Sequence, residues 1–204
     1  TPIDAAAVGA VTLTPGALGS TSVALDSNVV GVSDKVTIQF TTASIIPIDG
    51  KIVVDFDDIF DMSGTISVAS ATIGVSVSVD TTTDVVTLTR DGSGVATPAN
   101  SVVTIELNGV TNPPYAGATT TYGLSTTTAS GVLIDEGTAA QSTFVAATLA
   151  AASVALTDGG ENINAHSTSA KPMQLTFTTT NVLPKDGKIK LTLPSEFQDI
   201  STAD

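Results

Sequence analysis

Few residues in this 204-residue chain are equipped for chemistry. Asp55, Asp57, Asp58 and Asp61 stand close together, and Ca²⁺ takes roughly six to eight oxygen ligands from such groups. Their spacing lacks the glycine-pivoted loop of an EF-hand, and a solvated acidic strand end is the better reading. His166 is the single histidine and sits in the polar stretch NINAHSTSAK. A Ser/His/Asp arrangement needs its histidine held by packing and oriented by an acid, so an exposed histidine is expected here. With no cysteine, no glycine-rich phosphate loop and no metal-spaced ligand set, hydrolytic, redox and nucleotide chemistry lack their parts. The sequence therefore leads to no catalytic residue, no cofactor and no metal: not an enzyme.

Two further residue classes could meet carbohydrate. Tyr115 and Tyr122 could stack on a sugar, but in a chain only 4% aromatic they read better as caps on a core or at a sandwich end. No asparagine stands in an N-x-[S/T] acceptor, so N-glycans are not expected. The threonine runs Thr81, Thr82 and Thr83; Thr119, Thr120 and Thr121; and Thr126, Thr127 and Thr128 are candidates for O-glycosylation. β-Propensity explains them equally well, because threonine suits exposed strand faces.

Seven Lys plus Arg against twenty Asp plus Glu leave a formal charge of -13. Phosphate neutralisation needs clustered cations, so nucleic acid is excluded as a partner. Charged residues make up only 13% of the chain, and Thr, Ser, Ala and Gly cover the surface instead, a coat that suits extracellular and cell-surface proteins. No apolar run approaches the ~18 to 20 residues of a membrane span. Thr1 is preceded by no initiator Met, basic region or apolar signal core, which reads as a processed product or a portion of something longer.

The elements that would position any site are strands. KVTIQF (Lys35 to Phe40) alternates Val36, Ile38 and Phe40 with Lys35, Thr37 and Gln39, the period of a half-buried strand. KIVVDF, GVSVSV, VVTLT and SVVTIEL read likewise. Between them Pro47-Ile48-Asp49-Gly50, Asp91-Gly92-Ser93-Gly94, Asn108-Gly109 and Asn112-Pro113-Pro114 offer the fixed or positive φ of tight reversals. Asp49 and Lys51 read as turn residues rather than a site. No stretch carries a helical period, and short strands with regular turns describe an immunoglobulin-like sandwich.

One phrase occurs twice. FTTASIIPIDGKIVVDF begins at Phe40 and FTTTNVLPKDGKIKLTL at Phe177, 137 positions later and without a gap. Upstream, SVAL at Ser22 recurs at Ser153, an offset of 131, which places a six-residue insertion within TDGGENINAHSTSAK. The 131 offset also carries Ile3-Asp4 onto Ile134-Asp135, Thr12 onto Thr143 and Leu18 onto Leu149. At +137 the four clustered aspartates become Thr192, Pro194, Ser195 and Gln198, so a calcium site intrinsic to the repeat is disfavoured.

The stretch GVTNPPYAGATTTYGLSTTTASGVLIDEG, together with FTTTNVLPKDGKIKLTLPSEF, resembles the tandem immunoglobulin-like repeats of long secreted microbial surface and filament proteins. That resemblance implies stalk, appendage or adhesive roles and brings no catalytic residue with it.

The expected fold is thus all-β: immunoglobulin-like β-sandwich repeats, one complete and one partial, with an N-terminal strand belonging to a neighbouring repeat. The expected divisions are an N-terminal strand or linker over 1–17, a complete repeat over 18–148 and the first part of a second over 149–204. A sandwich cut after its first strands exposes apolar faces and unpaired edges. Leu175, Phe177, Ile189, Leu191, Leu193 and Phe197 are the candidate acceptor positions, and Val8, Val11, Leu13 and Leu18 the candidate donor strand. The expected function is a structural subunit of an extracellular filament or surface appendage. Its partner is itself, as a head-to-tail homopolymer by strand complementation or as neighbouring repeats of one continuous chain. The alternative is an adhesin-type repeat that binds a surface glycan or protein.

Overall fold

The computed structural model describes residues 12–156, 173–183 and 185–193. Among them every regular element is a strand: β1 (Gly16–Ala17), β2 (Gly19–Leu25), β3 (Ser33–Thr41), β4 (Lys51–Asp55), β5 (Ser67–Ala71), β6 (Val75–Asp80), β7 (Val85–Arg90), β8 (Val102–Thr111), β9 (Gly117–Ala118), β10 (Tyr122–Thr127), β11 (Leu133–Ala139), β12 (Thr143–Phe144), β13 (Ala150–Leu156) and β14 (Met173–Thr178). The chain divides into two compact units, Thr1–Ala147 and Thr148–Asp204.

The first unit is a β-sandwich of the immunoglobulin-like kind. One sheet runs β1-β11-β10-β4-β7-β6 and the other β2-β3-β8-β5, with β12 and β9 paired at one end. Alternation dictates which side chains turn inward. Val36, Ile38 and Phe40 of β3 and Val103, Ile105 and Leu107 of β8 are buried from one sheet, and Ile52 and Val54 of β4, Val86 and Leu88 of β7 and Leu124 of β10 from the other. The result is a β-branched core, as a strand pattern of Val and Ile at every second residue requires.

Aromatic residues gather at one place in this core. Phe56 meets Phe60 and Tyr122 edge to face at 5.4 and 5.5 Å, and Phe60 meets Phe144 at 5.6 Å. Such tilted contacts align the positive ring edge with a negative face. Tyr122 is fully buried and its hydroxyl donates to Ser142 Oγ at 2.7 Å. It is a core residue, whereas Tyr115 stands exposed in the β8–β9 connection.

The repeated phrase IIPIDGKI forms the turn between β3 and β4. Gly50 N donates to Pro47 O at 3.0 Å, and Gly50 O accepts from Arg90 N at 2.9 Å. A side chain at Gly50 would meet the Thr127 carbonyl at 2.9 Å, so only glycine lets β10 pass this close. Asp49 is exposed at the turn, as expected of a turn residue. Gly16 and Ala17 pair in parallel with Asp135 and Glu136, so the sandwich takes in residues just before 18.

The second unit contains an antiparallel hairpin of β13 and β14. Its described remainder, 179–183 and 185–193, continues without further strands.

Candidate assembly surface

The hairpin of the second unit repeats that of the first, pair by pair. Ser22↔Gln39, Val23↔Ile38, Ala24↔Thr37 and Leu25↔Val36 join β2 to β3, and Ser153↔Thr176, Val154↔Leu175, Ala155↔Gln174 and Leu156↔Met173 join β13 to β14. Both ladders slip at the same place, between Gly19 and Ser22 and between Ala150 and Ser153. Ser20 and Ala151 take the positive φ that such a bulge demands, 46° and 49°.

The backbone recurs; the burial does not. Val23 is 9% exposed and its counterpart Val154 51%; Val36 is 0% and Met173 37%; Ile52 is 0% and Ile189 56%; Val54 is 0% and Leu191 39%. Leu175 and Phe177, which stand where Ile38 and Phe40 are fully buried, are half-buried, as is Leu193 in the place of Phe56. Each such side chain left in water forgoes about 1.5–3 kcal/mol of transfer free energy. Val154, Met173, Leu175 and Phe177 share one face of the β13–β14 pair by register and alternation.

A strand edge lies beside these side chains. In the first unit β3 is flanked by β2 and β8, whereas β14 pairs with β13 alone among the described residues. A strand edge of this kind presents alternating N–H and C=O groups to any extended chain. No family model matches this chain, and no curated protein matches it. Three solved structures bear a distant likeness. A non-cellulosomal cohesin from Archaeoglobus fulgidus is 8% identical over 64% of this chain and 92% of its own, at a TM-score of 0.34. The Coh-OlpC–Doc435 cohesin–dockerin complex from Clostridium thermocellum gives 10%, 64%, 97% and 0.36 in the same order. The C-terminal domain of the Streptococcus pyogenes antigen I/II-family protein AspA gives 13%, 65%, 47% and 0.36.

The expected donor residues fall in three places. Val8 and Val11 lie outside the described residues, as does the acceptor Phe197. Leu13 is 89% exposed. Leu18 is engaged within the first unit, where its N–H donates to Glu136 O at 2.9 Å and its side chain packs on the core.

The threonine runs divide by burial. Thr81, Thr82, Thr83, Thr120 and Thr121 are exposed and Thr128 is half-buried. Thr119, Thr126 and Thr127 are buried. Thr119 Oγ1 accepts from Ser142 N at 2.9 Å, Thr126 Oγ1 accepts from Asp135 N at 3.2 Å, and Thr127 Oγ1 donates to Thr128 O at 3.0 Å. These hydroxyls close backbone groups inside the fold.

The acidic residues also have local duties. Asp57 Oδ2 accepts from Thr120 N at 2.6 Å, and Asp61 Oδ1 accepts from both Ser63 N and Ser63 Oγ. Those two Ser63 bonds hold the Asp61 carboxyl below its ordinary range. Among the described residues no three His, Cys, Asp or Glu side chains converge as a metal site. His166 lies outside the described residues.

Three polar residues that pattern reading passed over hold the first sandwich together. Asp135 is fully buried on β11, and its Oδ2 accepts from Ala43 N at 3.1 Å and Ser44 N at 2.8 Å. Arg90, at the end of β7, donates to the carbonyls of Ile46, Pro47 and Val95. Asn112, in the GVTNPP stretch, donates to Ser27 O and Val29 O. Arg90 and Asn112 stand at or just beyond the end of an apolar strand, which is a sequence signal, whereas Asp135 inside β11 has none.

Proposed function

We propose that this chain is a structural subunit of an extracellular filament or surface appendage. Its second immunoglobulin-like unit is completed head to tail, by strands from a neighbouring copy or by further repeats of one continuous polypeptide. The observation that carries this reading is the β13–β14 hairpin: it has the register and bulge of β2–β3, yet the side chains equivalent to core residues stand in water. A protein keeps such a face soluble only when something covers it. The low-charge, threonine-rich coat supports an extracellular setting. Heterologous contacts of this kind do not close on themselves, so they grow fibres. Val8, Val11 and Leu13 remain the donor candidates, and Leu175, Phe177, Ile189, Leu191, Leu193 and Phe197 the acceptors. The role is that of a non-enzymatic assembly module.

Negative-stain microscopy across a concentration series tests the reading, together with the mass under denaturing conditions. Fibres that vanish in a Leu175→Asp/Phe177→Asp variant are expected. A wild-type chain that stays a dispersed short rod at every concentration overturns it. Deleting Thr1 to Gly16 tests donation by that segment, because fibres that still form normally show that it is not the link. The exposed Tyr115 favours the second reading, an adhesin repeat, and saturable glycan binding lost in Tyr115→Ala would support it.

A further inference from the structure

The first sandwich shows which strand lies along the equivalent hairpin edge. In the first unit β8 lies antiparallel along β3, with Thr37↔Glu106, Ile38↔Ile105, Gln39↔Thr104, Phe40↔Val103 and Thr41↔Val102 as partners. Transposed by 137 positions, these β3 residues are Gln174, Leu175, Thr176, Phe177 and Thr178 of β14. The apolar part of the pattern is retained, Leu175 for Ile38 and Phe177 for Phe40, while β14 has β13 as its one pairing strand among the described residues.

The charge pattern is not retained. Lys35 Nζ meets Glu106 Oε1 at 2.9 Å in the first unit, and in sequence Pro172 stands at the position equivalent to Lys35. The Lys35–Glu106 pair thus has no equivalent here, which leaves backbone pairing and the apolar side chains to select what lies along β14. Two-residue periodicity then sets the face, since a slip of one residue would turn every apolar side chain outward.

We propose that the edge of β14 is a receptor for a single antiparallel strand of the kind of Val102–Thr111, with a Val over Phe177 and an Ile over Leu175, donated by a neighbouring repeat. This rests on the assembly reading above and adds the identity and register of one donated strand. It also assigns to that edge a strand type different from the N-terminal segment, whose sequence matches β11 and β12 rather than β8. Main-chain hydrogen bonds provide the affinity and the alternating pockets the selectivity, as in β-augmentation generally.

The test adds a synthetic peptide of the sequence VVTIELNGVT to the full chain, held dilute enough to stay dispersed, and follows amide hydrogen exchange. Slowing of at least about tenfold across Met173–Thr178 is expected, with β3, already paired on both sides, unchanged. A peptide carrying Ile105→Asp should give no protection, and Leu175→Asp in the chain should abolish it. Absence of protection at about millimolar peptide, the weak end of specific binding, overturns the proposal. Fibres formed by a chain that shows no such protection would sink the strand receptor and leave the assembly reading standing. Protection in a chain that never forms fibres would do the reverse.

Discussion

Ser20 and Ala151, 131 positions apart, both hold the backbone in the left-handed region, at φ 46° and 49°, inside equivalent bulges of the β2–β3 and β13–β14 hairpins. Neither is glycine, the residue that adopts this conformation without cost. Two different side chains forced into one sparsely populated conformation mark a shared local design. The difference between the units then lies in what covers the hairpin, and this difference is measurable.

Matched truncations in the two hairpins should have unequal costs. Ile38→Ala removes a fully buried side chain and is expected to cost about 2–5 kcal/mol. Leu175→Ala, at the equivalent but half-buried position, should cost under about 1 kcal/mol in the dispersed chain. Urea unfolding checks both, and equal costs would mean that the second unit is already packed as tightly as the first.

Asp135 ties β11 to the loop after β3. Asp135→Ala strands the Ala43 and Ser44 amides, at a cost of about 2–4 kcal/mol. A side chain at Gly16 would run into Asp135 Oδ1, so Gly16→Ala should also destabilise, but far less once Asp135 has been truncated. A double-mutant cycle by thermal unfolding reads this coupling. Additive effects would show that the two residues do not meet.

Arg90 bridges two loops through three carbonyls. Lysine has a single ammonium in place of a planar fork, so Arg90→Lys is expected to lose about 2 kcal/mol and Arg90→Met somewhat more, the scale of a buried charge-assisted bond. Guanidinium is unsuitable as denaturant for this comparison; urea is appropriate. Arg90→Lys with wild-type stability would contradict the clamp.

Asp84 carries a carboxyl pushed above its ordinary range, first by burial and then by the charges of Asp58, Asp61 and Asp80. A raised folded value means that protonation favours the fold: the contribution is full below the unfolded pKa near 3.8 and disappears as pH rises through the folded value. At neutral pH the ionised group therefore works against the sandwich. Asp84→Asn should raise Tm at pH 7 by on the order of 2 °C and change little at pH 3. Asparagine also accepts the φ of 48° found there. The lowered carboxyls of Asp61, Asp91 and Glu106 act oppositely, adding stability that fades on acidification.

Much of the fold was legible because it is written locally. Val36, Ile38 and Phe40 announce their burial by alternation, and the 131 and 137 offsets carry the register of β2–β3 onto β13–β14. The rest depends on partners far away along the chain. Asp135 meets amides roughly ninety residues upstream, and nothing near it distinguishes it from an exposed strand acid. A threonine run gives no local sign of burial, but Thr127 follows a register shift between β10 and β11, which turns two successive side chains inward. The link of Gly16 and Ala17 to β11 is a parallel pairing, a connection that no local turn reveals.

That parallel pairing has a mechanical meaning. Gly16 and Ala17 run beside Asp135 and Glu136 in the same direction, and Val29 bridges Val145 in parallel near the exit of the sandwich. Tension applied at the two ends of the first unit drags these neighbours past each other lengthwise, so their hydrogen bonds are loaded together instead of parting one at a time. The first unit thus meets extension from its ends in shear rather than by unzipping.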